Sequence, residues 1–169
     1  MAAVRERKSG IHLLMIGGAV GASDPTNNEY LSRVRRLVDE LALTSHVTWS
    51  GHMAAEQVSA AFLSSHICVL PYRDGVSFRR GSLMAALAHG MPIVSTRPQV
   101  PIDALVHGEN IWLVPPSDPD ALAGAIARLA DDQALSRRLG RRAKVLAQTF
   151  DWTEIARRTL ELYHDLAAG

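Results

Sequence analysis

The sequence has little of several features that mark whole classes of protein. A single cysteine, Cys68, among 169 residues excludes an intrachain disulfide and a zinc site built from cysteines, and it suits a reducing compartment. No apolar run approaches the ~20 residues that cross a bilayer. Residues 1–10 are charged and lack the apolar core of a signal peptide. We therefore expect a cytoplasmic protein without a transmembrane segment.

Excess charge is also lacking. The chain has 18 Lys and Arg against 17 Asp and Glu, which gives a net charge of +1. It therefore has no global positive field of the kind that nucleic-acid-binding proteins usually carry, and we expect no nucleic-acid partner. The arginine pairs 137–138, 141–142 and 157–158 are typical of solvated helix faces, and a nucleic-acid groove is the less favoured interpretation.

What is present is an ordinary apolar content of 47%, which excludes a disordered chain. A length of 169 residues fits one domain with its own core, so we expect a single domain over residues 1–169. Short apolar runs alternate with amphipathic stretches. The predicted strands are 11–17, 47–51, 67–70, 93–95 and 111–114, and the predicted helices between them are 27–43, 54–64 and 81–89. This alternation predicts an α/β, Rossmann-like parallel sheet with helices on both faces.

The last third of the chain is predicted to be helical throughout. Ser117 is the expected N-cap of a first helix that has Pro119 and Asp120 in its first turn. A second helix has its apolar face at Leu135, Leu139, Ala143 and Leu146. Asp151 and Glu154 resemble a capping box at the start of a third helix. The residues expected to point inward from that helix are Ile155, Leu162, Tyr163 and Leu166.

Three segments follow predicted strands at their carboxyl ends, where open parallel sheets bind ligands: 17–23, 51–53 and 72–82. The first, GGAVGAS, contains Gly18 and Gly21 but lacks the spacing of a dinucleotide-binding loop, so an ordinary turn is favoured. No P-loop and no GxSxG elbow are present, which disfavours an ordinary kinase, an ATPase or a hydrolase triad. The seven histidines form no i, i+4 pair and are interpreted as packing or surface residues.

Residues 72–82 (YRDGVSFRRGS) are the most informative segment. A polar loop leads into a helix rich in small residues, and the N–H groups at a helix N-terminus can bind phosphate. Arg79 and Arg80 stand beside that helix start, and a guanidinium group can donate two hydrogen bonds to phosphate. Gly75 and Gly81 would let a ligand approach the backbone closely. The alternative is a solvated loop in which the arginines pair with Asp74 or with other acids.

The segment LAHGMPIVST, residues 87–96, resembles the C-terminal, donor-binding half of group 1 (family 4 type) retaining glycosyltransferases of GT-B fold. Further segments agree in the same order: LLMIGG, HVTWSGHMAAEQVSAAFLSSHICVLPY, HGENIWLVPPSDPDALAGAIARLADD and FDWTEIARRTLELY. The resemblance spans about residues 11–166, and its collinearity makes it more specific than any single motif. It implies one half of a GT-B fold.

The resemblance also implies a substrate and a set of donor-binding residues. The donor is a nucleotide-diphosphate sugar, bound as a substrate, and no separate cofactor is expected. In the family, two glutamates with E-x7-E spacing bind the donor; counted back from Gly90, they fall on Ser77 and Ala85, so both carboxylates are replaced. The donor-binding residues implied are Gly18, Gly51, Ser77, Phe78, Arg79, Arg80, Gly81, Ser82 and Ala85. No catalytic residue and no metal ligand are assigned.

The family's first strand-helix unit of this half, with its Arg and Lys for the leaving diphosphate, would lie upstream of Met1, as would the N-terminal acceptor domain. We therefore expect a nucleotide-sugar-dependent glycosyltransferase that transfers sugar with retention when paired with that domain, while the isolated chain is inactive. The alternative is a non-catalytic domain of the same fold, used for binding or interaction. An epimerase of the same fold is less favoured, because no acid/base residues are arranged for it. An exposed sheet edge also leads us to expect self-association.

Overall fold

The computed structural model describes residues 1–8, 10–17 and 25–168, with the backbone alone for 25–28 and 168. Within these residues the elements are, in order, α1 (Ala2–Arg7), β1 (Leu13–Met15), α2 (Pro25–Glu40), β2 (Val47–Trp49), α3 (Ala55–Ser64), β3 (Cys68–Leu70), α4 (Gly81–Ala88), β4 (Ile93–Thr96), β5 (Trp112–Val114), α5 (Pro119–Asp131), α6 (Gln133–Gln148) and α7 (Trp152–Ala168). The chain divides into two compact units, Met1–Ser64 and Ser65–Gly169.

The first unit contains a two-stranded parallel sheet. β1 pairs with β2 so that Leu13 lies opposite Val47 and Met15 opposite Trp49. At the start of this ladder His12 Nε2 lies 2.7 Å from the hydroxyl of Thr48. The predicted strands are therefore present and parallel, although each is shorter than its apolar run.

The second unit contains a three-stranded parallel sheet in the order β3-β4-β5. Cys68 lies opposite Ile93 in one ladder, and Ser95 lies opposite Leu113 in the other. All four residues of β4 are buried, as expected of a central strand in a parallel sheet covered by helices. The predicted parallel, Rossmann-like arrangement is confirmed.

Two hydroxyl groups are buried in the otherwise apolar strand β4, and both are satisfied. Ser95 Oγ donates to the carbonyl oxygen of Leu70, and Thr96 Oγ1 donates to that of Tyr72, each at 2.7 Å. A buried hydroxyl is costly unless it is hydrogen-bonded. These two bonds also tie the end of β3, and the loop that follows it, to the central strand.

The core of the second unit lies between its sheet and helices α5 and α6. Buried side chains of strands β4 and β5 and of these two helices form one cluster: Val94, Val114, Ala125, Leu129, Leu135 and Leu139. Helix α6 also approaches the end of α4, where Gly140 stands so close to Gly90 that a Cβ on Gly140 would meet the Gly90 carbonyl oxygen. Gly90 ends α4 with φ +65°, as predicted for a left-handed stop.

The capping predictions are partly wrong. Asp118, and not Ser117, is the N-cap of α5, and its carboxylate accepts a hydrogen bond of 2.8 Å from Ala121 N. Ser117 has φ +57°, whereas an N-cap residue needs an extended backbone. At α7, Asp151 accepts from Thr153 N at 2.8 Å. Glu154 does not complete the box; it accepts from the side chains of Arg157 and Arg158.

Helix α7 contradicts the predicted inward face. Ile155, Leu162, Tyr163 and Leu166 are 37%, 57%, 63% and 71% exposed. The periodicity correctly placed them on one stripe, but periodicity does not require that another element covers it. The charged side of the helix is well paired, and hydrogen bonds from Arg157 and Arg158 lower the pKa of Glu154 to about 2. No described helix is both long enough and apolar enough to cross a membrane.

Cys68 provides a test of the buried sheet. Burial raises the pKa of its thiol to about 12, so very little reactive thiolate is present at pH 8. We expect iodoacetamide to alkylate Cys68 at least about a hundredfold more slowly in the native chain than in the urea-unfolded chain. Mass spectrometry over a time course measures both rates. Similar rates in the two states would contradict the partial burial of Cys68 in β3.

Candidate functional site

A cavity of about 470 Å³ lies at the carboxyl ends of β3 and β4 in the second unit. The loop after β3 forms one wall and the segment after β4 forms the other. The lining residues are Asp74, Gly75, Val76, Ser77, Arg79, Arg80, Pro98, Gln99, Val100 and Ile102. The size and the position are those of small-ligand sites in open parallel sheets.

The two walls are held together by direct backbone contact at Gly75. This residue has φ +81°, and a Cβ there would lie 2.5 Å from the carbonyl oxygen of Arg97 and 2.9 Å from the Cα of Pro98. The next residue, Val76, is 2% exposed, and its N–H donates to the Thr96 carbonyl at 3.2 Å. Only glycine fits this position, for steric and conformational reasons alike.

Arg80 is engaged within the loop. Its guanidinium group forms an ion pair with the carboxylate of Asp74 and lies 4.7 Å from the centre of the Tyr72 ring. The Tyr72 hydroxyl lies 2.6 Å from Ser82 Oγ. The pKa of Tyr72 is raised, and burial is the largest cause. The hydrogen bond to Ser82 and the charge of Arg80 act in the opposite direction and lower this pKa, but their effect is smaller. The interpretation in which an arginine pairs with Asp74 therefore applies to Arg80.

Arg79 is in a different situation. Its side chain is exposed and lines the cavity, and it makes no hydrogen bond or ion pair with any residue that the structure describes. Helix α4 begins two residues later, and its N-cap residue, Arg80, provides no side-chain hydrogen bond to the first turn. A cation and uncapped N–H groups are thus close together in sequence at one edge of the cavity.

Some of the predicted donor-binding residues belong to the cavity lining and others do not. Ser77, Arg79 and Arg80 line the cavity. The ring of Phe78 instead contacts that of Phe150, with centroids 4.6 Å apart. Gly81 and Ser82 are exposed at the start of α4, and Ala85 is half-buried one turn further on. Gly51 lies in the first unit with φ +66°, and Gly18 falls outside the described residues.

The second wall of the cavity is not among the segments predicted from the sequence. Pro98, Gln99, Val100 and Ile102 follow strand β4, and the rule that ligands bind beyond the carboxyl ends of strands applies to this segment as it does to the loop after β3. The signal was therefore present, but the segment carries no charge cluster or glycine pair to draw attention.

The chemistry of this lining suits binding. It provides one hydroxyl, Ser77, a carboxylate that is already paired with Arg80, and the cationic Arg79. Such groups bind anions and hydroxyl groups. Residues 1–132 match the family of glycosyl transferases group 1.

The chain belongs to this family. D-inositol 3-phosphate glycosyltransferase of Pseudarthrobacter chlorophenolicus is 31% identical over 167 residues, which cover 96% of this chain and 37% of that enzyme. The predicted membership in the group 1 glycosyltransferases is confirmed.

Solved structures show the same fold. Sucrose-phosphate synthase from Thermosynechococcus elongatus matches with a TM-score of 0.78 and 29% identity, over 99% of this chain and 41% of that one. The Anabaena protein HepE in complex with UDP-glucose matches with a TM-score of 0.81 and 18% identity, over 96% of this chain and 43% of that one. The chain therefore spans less than half the length of these three proteins, and its fold is that of a GT-B half.

Gly75 gives a direct test of how the cavity is built. We expect Gly75→Ala to lower the free energy of unfolding by at least about 3 kcal/mol, because left-handed strain and overlap with the Arg97 carbonyl add together. The matched control is Gly108→Ala, where φ is +77° but no atom of the described residues lies within 4 Å of the added Cβ; strain alone should cost about 1 kcal/mol. Urea denaturation measures both variants. Equal losses would show that the contact between the two walls is not tight.

Proposed function

We propose that this chain is the C-terminal, donor-binding half of a nucleotide-sugar-dependent glycosyltransferase, which transfers sugar with retention when paired with an N-terminal acceptor domain. The observation that carries the proposal is the cavity beside Arg79, in the loop where the family resemblance puts the donor. The proposal includes a cytoplasmic location and no cofactor apart from the donor substrate.

The diphosphate of the donor is assigned to the edge of the cavity formed by Arg79 and the start of α4. Arg79 offers a guanidinium group that is not neutralised within the described chain, and guanidinium groups bind phosphate oxygens through paired hydrogen bonds. Arg80 contributes less, because its charge is already shared with Asp74. Its role is to hold the loop against Tyr72.

The sugar and ribose hydroxyls meet fewer partners than the family pattern provides. Ser77 Oγ can accept or donate one hydrogen bond at the position of the first family glutamate, and Ala85 offers no side-chain polar group. Each hydrogen bond to a charged group contributes about 1.5–3 kcal/mol. We therefore propose weak, diphosphate-dominated binding to the isolated chain.

The alternative is a domain of the same fold that binds or interacts without catalysing transfer. Two observations favour it: both positions of the carboxylate motif lack an acid, and Asp74, the one carboxylate that the described residues contribute to the cavity lining, is paired with Arg80. Family membership and fold do not by themselves decide between a catalytic and a non-catalytic domain.

The role of Arg79 is tested by Arg79→Gln. We expect this change to weaken the binding of UDP or GDP about tenfold, because one charged contact is lost, as measured by isothermal titration calorimetry. Arg73→Gln is the matched control: Arg73 is an exposed arginine of the same loop outside the cavity lining, so its loss should change affinity by less than about twofold. Equal effects of the two changes, or no binding of UDP, GDP or their sugars to the unaltered chain, would refute the phosphate role.

The double variant Ser77→Glu/Ala85→Glu separates the two candidate functions. If the pocket keeps the donor geometry, the restored carboxylates should raise the affinity for UDP-glucose or GDP-mannose about tenfold or more, while the affinity for inorganic diphosphate stays the same or falls. Calorimetry with each ligand measures this difference. Unchanged affinity for every nucleotide sugar would favour the non-catalytic domain.

A further inference from the structure

The exposed face of α6 carries a dense cluster of positive charge. Between residues 133 and 148 the helix has four arginines, one lysine and no acidic residue. The five cations are Arg137, Arg138, Arg141, Arg142 and Lys144, and all are exposed. At 100° and 1.5 Å per residue they cover an arc of about 160° and about 10 Å of the helix axis. We call this arc the cationic face of α6.

The other side of α6 fixes the direction of this face. Leu135, Leu139 and Ala143 are buried at 5%, 0% and 0% exposure, and they hold the helix on the core of the second unit. The cations therefore point away from that core because the helix cannot rotate without exposing these residues. The sequence of α6 supplies the positive charges, and packing of the helix fixes the direction in which they face.

Little within the described chain neutralises the cationic face. Arg138, Arg141 and Lys144 make no hydrogen bond or ion pair with described residues. Arg137 donates to the uncharged Gln133, and Arg142 lies 3.9 Å from Glu109, with both side chains about 60% exposed. Such a pair contributes little in water.

The acids nearest in sequence stand at the ends of the helix. Asp132 is the N-cap of α6 and accepts from Leu135 N, and Asp151 follows the C-terminus of the helix and accepts from Thr153 N. Both carboxylates are therefore engaged by backbone outside the cationic face. The face is left with unbalanced positive charge.

Apolar side chains accompany the charge. Val145 lies within the cationic face, between Arg141 and Arg138 around the helix, and is 61% exposed. Trp152, which is 82% exposed, follows four residues after the end of α6. An anionic lipid surface suits this mixture, because its headgroups attract the cations while its interface accommodates an exposed apolar side chain such as Val145. Nucleic-acid phosphates, in contrast, offer no favourable contact to an exposed valine.

We propose that the cationic face of α6 binds the surface of a membrane that contains anionic phospholipid. Binding is peripheral and electrostatic, and it weakens as salt screens the charges. This inference is independent of the donor site, because it depends on none of the residues that line the cavity.

Co-sedimentation with vesicles tests the proposal on the whole 169-residue chain. At 50 mM NaCl we expect binding to vesicles of equal parts phosphatidylglycerol and phosphatidylcholine, no binding to pure phosphatidylcholine, and loss of binding at 500 mM NaCl. Arg138→Gln/Arg141→Gln should lower the partition constant about thirtyfold, since each cation near an anionic surface contributes about fivefold.

The matched control is Arg157→Gln/Arg158→Gln on α7. It removes the same charge, but from arginines that are paired with Glu154 and Glu161, so it should change the partition constant by less than about threefold. Circular dichroism shows whether each variant is folded. If the double variant of α6 is unfolded, Lys144→Gln replaces it in the test, and we expect this single change to lower the partition constant about fivefold.

Three results would overturn the proposal: no binding to the anionic vesicles, an equal loss in the α6 and α7 variants, or retention of a 20-base-pair DNA duplex under conditions in which the vesicles are not bound.

Discussion

The backbone contact at Gly75 is the constraint on which the candidate site depends. It brings the loop after β3 against the segment after β4 more closely than any side chain would allow. The same two segments form the walls of the cavity, so their close approach at Gly75 fixes where the cavity lies. The buried hydroxyls of Ser95 and Thr96 reinforce the same junction from below, since they fix the carbonyl groups at the end of β3 and the start of the loop. One wall of the site thus continues directly from β4, whose four residues are all buried.

The loop distributes its two arginines between two tasks. Arg80 is held by Asp74 and the Tyr72 ring, which stabilises the loop conformation. Arg79 is its neighbour and lines the cavity with its charge unshared by the described residues. Both side chains line the cavity, but only Arg80 has an acidic partner among the described residues, so two identical side chains have different roles. A ligand anion would therefore find one cation, Arg79, without having to break an ion pair within the described residues.

Much of the fold was predictable from sequence because apolar periodicity and glycine stops are local signals. The parallel strands, the burial of Leu129, Leu135 and Leu139, and the left-handed stop at Gly90 follow from such signals. Tertiary partners are not local. The pattern of α7 shows which residues share a stripe, but it does not reveal whether anything covers them. Likewise Ser117 and Asp118 are both residue types that cap helices. Asp118 is the N-cap because the backbone of Ser117 is left-handed, and the sequence alone does not show this.

The candidate site was predictable in part for the same reason. The loop after β3 can be recognised in the sequence by its arginines and glycines. The residues of the other wall carry no charged side chain: Pro98, Gln99, Val100 and Ile102. The pairing of Arg80 with Asp74, six residues apart, depends on how the loop folds back over Tyr72. No spacing rule for irregular backbone predicts that geometry.

The ion pairs of α7 have a consequence for how that helix meets other surfaces. Arg157 forms ion pairs with Glu154 and Glu161, which lie one turn before it and one turn after it. These ion pairs link neighbouring turns of the same helix. These bonds favour the helical state without help from burial of the apolar stripe. A surface that covers Leu162 and Leu166 would therefore bind a segment that is already helical. The free-energy cost of ordering its backbone on association would be small.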